Sequence, residues 1–443
     1  MKSESILVLA IVVLLAPSAS AGTYSGGGDG SAENPYKIAT PNDMNEIGTD
    51  PNDWDKHFLL TADINLADYT GTQFNIIGPN FTTPFTGVFD GNGHTVSNFT
   101  YTCTETDYIA IFGCVYDPNA EINNLHLTEP NVNAELGSSV GSLVGLLAYG
   151  TVSGCSAEQS AVSAKGRDVG GLVGSNYLST IKNCYANGSV SGGFRWVGGL
   201  VGNNGGIIKD SWSAGEVIGE DIVGGLAGSN GEIFGIVAKV ENCYSNTNVT
   251  ATDSYAGGLV GINYRATVES SYATGCVDGN TGAGGLVGMN YDANISNCYA
   301  IGSVDANLGV GGLVGADREG LIENCYAVGE VLGNEDVGGL LGREYDSNSV
   351  YIKNFWNNTV NPSLQGIGNA ADSNVIGEST VNMQIESTFV DAGWDFVEIW
   401  NIGENQTYPF LRAYPAGDLN HSGRVDFVDF AIFASHWLEG TEQ

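Results

Sequence analysis

A hexapeptide of the form Val-Gly-Gly-Leu-Val-Gly returns along the middle of this chain and limits what the chain can fold into. Its copies begin at Val140, Val169, Val197, Val223, Ala256, Ala283, Val310 and Val337, at spacings of 29, 28, 26, 33, 27, 27 and 27 residues. Self-similarity at such a period means stacked structural units, each burying its apolar face against the next. Between glycine blocks lies a second block, residues 181–190, Ile-Lys-Asn-Cys-Tyr-Ala-Asn-Gly-Ser-Val, which returns at 295–304 and 322–331. Short β-branched and aromatic runs cut by Gly, Asn and Asp read as strand and turn. No unit carries the uninterrupted 3.6-residue periodicity of a repeat helix. A period near 27 residues fits three strands of roughly 5 residues and three turns. The expected fold is all-β: a right-handed parallel β-helix of about eight to nine coils, with N- and C-terminal caps and a small helical tail.

Successive coils should lie about 4.8 Å apart, so equal positions form columns. One column reads Asn183, Asp210, Asn242, Ser270, Asn297, Asn324, Asn354. Asn tolerates the left-handed backbone of a sharp turn, and stacked amides can bond along the column. The next reads Cys184, Ser211, Cys243, Ser271, Cys298, Cys325, Phe355, and the next Tyr185, Trp212, Tyr244, Tyr272, Tyr299, Tyr326, Trp356. If Cys184, Ala186 and Val190 point inward, strand alternation turns Tyr185 outward, where a file of rings could stack on sugars. The alternative, preferred at this point, packs the rings inside and leaves Cys outside or at a bend.

The blocks Gly-Gly-Leu-Val-Gly and Asn-Cys-Tyr-Ala-x-Gly are similar to the GLUG-motif repeats of bacterial secreted and surface proteins, over residues 140–356. The resemblance implies a β-helix. It does not imply one activity, because proteins of different function share the repeat. The family includes immunoglobulin-cleaving zinc peptidases, whose His-Glu-x-x-His is absent here; His57, His94, His126, His421 and His436 are scattered. No nucleophile motif appears, and no carboxylate pair suited to glycoside cleavage stands out. Arg195, Arg265 and Arg318 read as solvated turn residues that could neighbour one another on one face. We therefore assign no catalytic residues.

The remainder is read as follows. Residues 6–16 are an apolar run after Met1-Lys2, followed by small residues suited to cleavage near Ala21-Gly22, so 1–21 reads as a secretory signal, too short to span a membrane. No other apolar run is long enough for a span. The chain carries 50 acidic and 15 basic residues, a formal charge of −35. Such a charge repels nucleic acid and anionic membranes and suits an exported protein that binds cations. Residues 22–105 read as an N-terminal capping region, with a short capped helix at 40–48, a strand at 58–66 and a strand-turn-strand at 85–96. Residues 106–360 read as the β-helix, with 109–127 a degenerate first coil, and 361–414 as the opposite cap. Of eight cysteines, five share the Cys184 column and read as buried free thiols; Cys103 and Cys114 are the best pair for a local disulfide.

The last segment, 415–443, carries a calcium loop. Oxygen ligands fall at loop positions 1, 3, 5, 9 and 12: Asp418, Asn420, Ser422, Asp426 and Asp429. Arg424 offers its carbonyl at position 7, and Gly423 permits the turn at position 6. The expected cofactor is Ca²⁺, with an apolar helix following over 427–438. Residues 417–438 resemble one half of a dockerin, which implies attachment to a cohesin-like or cell-surface partner, although Ser422 replaces the usual Asp and only one loop is present. Two functions follow. One is a secreted, non-catalytic protein for adhesion or for polysaccharide or surface binding, docked through its tail. The other is a polysaccharide lyase or glycoside hydrolase delivered by that tail.

Overall fold

The computed structural model describes residues 24–412, apart from Ser347. The signal segment and the calcium loop, with Asp418, Asn420, Ser422, Arg424, Asp426 and Asp429, lie outside the described residues.

One ladder shows the architecture. Tyr36–Ile38 pairs in parallel with His57–Leu60, then come Val88–Asp90, Glu121–Asn123, Thr151–Ser153, the ends of Val173–Lys182 and Val201–Lys209, Lys239–Glu241, Thr267–Glu269, Asn294–Ser296, Leu321–Glu323 and Val350–Ile352. Each strand pairs with the strand one repeat later. The chain is thus an all-β parallel β-solenoid of about 11 turns. The excess over the expected eight to nine coils comes from the N-terminal side. There the strands from Tyr36 onward already pair in register, before the glycine motif appears.

The interior is built by equal positions. Leu172, Leu200, Leu226, Leu259, Leu286, Leu313 and Leu340 are fully buried in one column. The second glycine of each motif is where the coils approach most closely. A Cβ placed on Gly199 would fall inside the van der Waals shell of the Gly225 carbonyl oxygen and 3.0 Å from Ser213 Cβ. The short helix Pro41–Ile47 forms as expected, with Thr40 and Asp43 making a capping box and Gly48 after its end.

The turn column adopts left-handed backbone, from Asn183 (φ 53°) and Asp210 (49°) through Asn242, Ser270, Asn297 and Asn324 (51°). Its last member is Lys353 (53°), not Asn354. The other two columns shift with it: Tyr326 pairs with Phe355, and Ala327 with Trp356. The final unit reaches its turn one residue earlier than residue similarity suggests, and backbone register decides the column.

Candidate functional site

The Cys column explains itself first. Cys184, Cys243, Cys298 and Cys325 are buried, and each S–H donates to the carbonyl two residues earlier, at 3.2, 3.1, 3.1 and 3.0 Å. Ser211 and Ser271 donate to the equivalent carbonyls at 2.7 Å. Cys and Ser alternate because both fit a small buried site next to a left-handed turn and satisfy the same acceptor. Burial pushes the Cys243 thiol up to about 12. All eight cysteines are free. Cys103 and Cys114 do not pair, because Cys103 follows the strand Thr100–Thr102 while Cys114 lies inside Phe112–Tyr116, strands that belong to different ladders.

With Cys inside, alternation turns the rings outward, and the inward packing preferred from sequence is corrected. Tyr185, Trp212, Tyr244, Tyr272, Tyr299 and Tyr326 form a parallel stack on the outer surface. Neighbouring centroids are 4.4, 5.7, 5.1, 4.7 and 5.0 Å apart, with interplanar angles of 2–6°. From Tyr185 to Tyr272 the stack is half-buried. Towards its other end it is covered from outside. Tyr299, Tyr326 and Phe355 join Met383, Phe389, Trp394 and Trp400 in a second apolar cluster, separate from the interior. Of the segment expected to cap the end of the coils, Gln365–Ile367 and Val375–Glu378 pair on as further parallel strands, and the part from Met383 to Arg412 lies along the side of the coils. Tyr326 Oη donates to the carbonyl of Pro409, and Arg412 is held by the carbonyls of Trp400 and Phe396 at 2.9 and 2.8 Å. Where the covered part begins, a cleft of about 630 Å³ opens between the two, lined by Asp210, Tyr244, Tyr272, Phe410 and Arg412.

A parallel stack consumes the faces of its own rings. What Tyr185, Trp212, Tyr244 and Tyr272 present to solvent is ring edges and polar groups, so the stack offers hydrogen bonds rather than faces for sugars to lie on. Sequence reasoning located this file and misjudged what it displays.

A polar column escaped sequence reasoning altogether. Asn176, Asn204, Asn230, Asn263 and Asn290 are at most 1% exposed, and each Nδ2 donates to the next side chain's Oδ1, at 2.6, 2.7, 2.9, 2.9 and 2.7 Å, the last acceptor being Asp317. Their second amide hydrogens reach backbone carbonyls, for example Thr267 from Asn230 at 3.1 Å. The signal was present: Asn recurs two residues after the Val-Gly or Ala-Gly pair that closes each motif, from Asn176 to Asn290. Asp317 is fully buried, accepts from Asn290 and from Tyr351 Oη at 3.3 Å, and desolvation holds its carboxyl above the usual range. Asp168 is likewise raised to about 6, chiefly by desolvation. Neither arrangement is a nucleophile or a paired acid and base.

The arginines are ion-paired surface groups. Arg195 meets Asp221 at 2.9 Å, Arg265 meets Asp292 at 3.1 Å and Arg318 meets Asp346 at 3.5 Å. Arg265 and Arg318 also cap the rings of Tyr264 and Tyr291, which stack on each other. Arg195 lies over Trp196, in another ladder. Among the described residues no cluster of three or more His, Cys, Asp or Glu is placed to hold a metal ion. No helix among them is long and apolar enough to cross a membrane.

Known proteins share parts of this pattern. The profile of the GLUG motif matches residues 166–191, 252–278, 279–305 and 306–332. The chain is 36% identical over 138 residues to a protein of Evansella cellulosilytica named "Putative Gly-rich membrane protein", covering 30% of this chain and 15% of that one. It is 29% identical over 200 residues to halomucin of Haloquadratum walsbyi, covering 44% of this chain and 2% of that one. The chain thus spans only a small part of the curated relatives it matches. Among solved structures, one titled as a "putative immunoglobulin A1 protease" from Bacteroides ovatus superimposes with a TM-score of 0.38 at 19% identity, over 87% of this chain and 94% of that one. A second, an IgA1 protease, gives 0.40 at 16% identity, over 72% and 21%. The chain carries GLUG-motif repeats on a β-solenoid.

Proposed function

We propose that this chain is a non-catalytic extracellular scaffold for adhesion. It holds an extended glycan along the solenoid axis and is attached through its C-terminal calcium loop. The observation that carries this reading is the half-exposed stack of Tyr185, Trp212, Tyr244 and Tyr272, which ends in the cleft beside Arg412. A ring edge and polar group repeated at every rung is suited to a ligand that itself repeats. In the cleft a chain of sugars meets two ring edges, a guanidinium and the carboxylate of Asp210, a mixture of apolar and polar contacts that fits hydroxyl-rich ligands. The formal charge of −35 favours neutral over anionic polymers. The calcium loop of Asp418, Asn420, Ser422, Arg424, Asp426 and Asp429 supplies attachment to a cohesin-like or cell-surface protein.

The test is a polysaccharide panel scored twice, for retention of the protein and for new reducing or unsaturated ends. Retention without new ends supports the scaffold. New ends, lost on substitution of a carboxylate, establish the hydrolase or lyase instead.

A further inference from the structure

A second aromatic file runs along the register position that follows the buried asparagines, and it is built differently from the first. Strand pairing aligns Tyr116, Ala148 and Tyr177 with Gly205, and then Gly231 with Tyr264 and Tyr291. Three rungs therefore lack a ring, at Ala148, Gly205 and Gly231. In the first case Tyr149, the next residue, carries its ring into the file between Tyr116 and Tyr177, from a turn position (φ 63°) that is also left-handed at Leu178, Arg265, Asp292 and Glu319. At the Gly205 rung the gap is covered from the next repeat, where the six residues that lengthen the Val223 unit to 33 form a hairpin just after Gly231. Ile233 and Ile236 exchange backbone hydrogen bonds at 3.1 and 2.9 Å, with Phe234 (φ 51°) and Gly235 (φ 80°) at its tip. Ile233 settles on Gly205, where a Cβ would collide with it, and Phe234 reaches Tyr177.

Left-handed backbone is costly for a bulky side chain, and a two-residue turn of this kind prefers Asn-Gly. Tyr149 keeps the left-handed backbone common to this turn of the coils, whereas Phe234 takes it on in an added hairpin, and both rings complete the same file. An observed outlier of this sort points to function.

The ring geometry says what the file is for. Phe81, Tyr116, Tyr149, Tyr177 and Phe234 meet edge to face, with centroids 5.0, 5.2, 5.8 and 6.3 Å apart and interplanar angles of 88, 80, 84 and 81°. An edge-to-face contact uses a face of only one of its two rings, where a parallel stack uses a face of both. The alternate members are the exposed ones: Phe81 is 54% exposed, Tyr149 37% and Phe234 87%, while Tyr116 and Tyr177 between them are half-buried. Farther along, the rings of Tyr264 and Tyr291 are capped by Arg265 and Arg318 at 5.4 and 5.2 Å.

We propose that Phe81, Tyr149 and Phe234 form a platform for the pyranose faces of a neutral glycan laid along the solenoid axis, with the 232–238 hairpin completing it. The C–H face of a sugar ring carries partial positive charge, and the negative face of an aromatic ring receives it. Exposed aromatic rings in a row, on a strongly acidic chain, fit a neutral hydroxyl-rich polymer better than an anionic one. This inference rests on the glycan-binding reading and assigns it a site apart from the Tyr185 stack.

The experiment is native affinity electrophoresis of the full chain in gels holding a soluble neutral β-glucan, a galactomannan or polygalacturonate. The variants are Phe234→Asn, Tyr149→Ala, both together, Phe234→Trp, and Trp212→Ala in the stack. Phe234→Asn places the preferred Asn-Gly pair at the hairpin tip, so it removes the ring without unfolding the turn. We expect retardation by at least one neutral polymer and not by polygalacturonate. The double variant should lose at least tenfold in affinity with unchanged melting, and Phe234→Trp should retain binding. Retardation of the double variant equal to wild type overturns the platform; if Trp212→Ala then abolishes retardation, the glycan-binding reading survives on the stack alone. Wild type retarded by no polymer overturns both readings.

Discussion

The side-chain amide of Asn290 donates to the carboxylate of Asp317 at 2.7 Å inside the solenoid, and neither side chain has measurable exposure. Five asparagine amides in a head-to-tail chain thus terminate on an acid that desolvation holds above the ordinary carboxylate range. The folded chain binds the proton at Asp317 more tightly than the unfolded chain does. Its contribution is fully present below the unfolded value near 3.8 and is lost as pH rises through the folded value. Asp168, raised to about 6, acts in the same direction. Asp317→Asn should keep the bond from Asn290, remove the ionisation and flatten this part of the stability profile. We expect its Tm at pH 7 to exceed that of wild type, by about 1 °C for each kcal/mol gained in a chain of this length, and the difference to vanish near pH 3.5. Thermal melts across pH 3.5–8 check this; a parallel profile for the variant would count against a buried, raised carboxyl.

Cutting the amide chain in its middle should be costly. Asn230 accepts from Asn204 at 2.7 Å and donates to Asn263 at 2.9 Å and to the Thr267 carbonyl at 3.1 Å. Asn230→Leu has similar volume but leaves those partners unpaired, at about 1–3 kcal/mol for each buried group. Urea unfolding should show the loss, with local hydrogen-exchange protection falling first at the rungs of Asn204 and Asn263.

Gly199→Val drives a side chain against the Gly225 carbonyl and Ser213. We expect a destabilisation of roughly 1–3 kcal/mol from overpacking. Each coil contacts only its neighbours, so the melt should also broaden. Calorimetry reads both effects.

The segment over the ring stack is secured by Trp400, which is fully buried and lies 6.0 Å from Tyr326 and 4.6 Å from Trp394. Trp400→Ala should cost about 3–5 kcal/mol locally. It should make residues 382–411 sensitive to protease while the solenoid retains its β-type circular dichroism. Loss of both together would show that the segment and the coils unfold as one unit.

The calcium loop is tested on the full chain. Wild type should take up Ca²⁺ in the extracellular range, about 10⁻⁴ to 10⁻³ M. Asp418→Ala should lose most of that uptake while the solenoid melts unchanged. Absence of uptake at millimolar calcium, by titration calorimetry, would remove the dockerin-like reading of the tail.

Much of this architecture was legible because it is local and periodic. The glycine spacing sets the coil length, and the recurring Asn, Asp and Ser mark left-handed turns, as at Asn183 and Asp210. The same periodicity obscured the first coils, because Tyr36–Ile38 and His57–Leu60 stack in register without carrying the motif. The buried asparagines were passed over for a related reason. A polar residue in a strand reads as outward-facing unless something satisfies it, and what satisfies Asn204 is the equivalent residue of the next coil.

The sequence by itself determined a stacked, turn-punctuated β-chain with equal residues in columns, because period and turn chemistry depend on neighbours close along the chain. Only the tertiary structure decided which columns face inward and what the outward ones display. A left-handed residue resets strand alternation, so Cys184 goes in and Tyr185 comes out. Whether rings lie parallel, as at Tyr185 and Trp212, or edge to face, as at Tyr149 and Tyr177, depends on backbone direction and on segments arriving from elsewhere. Trp400 closes over one file and Phe234 mends the other. Both arrive across distances along the chain that no local pattern spans, and they do so because rings left between rungs are stabilised by any apolar surface that can reach them.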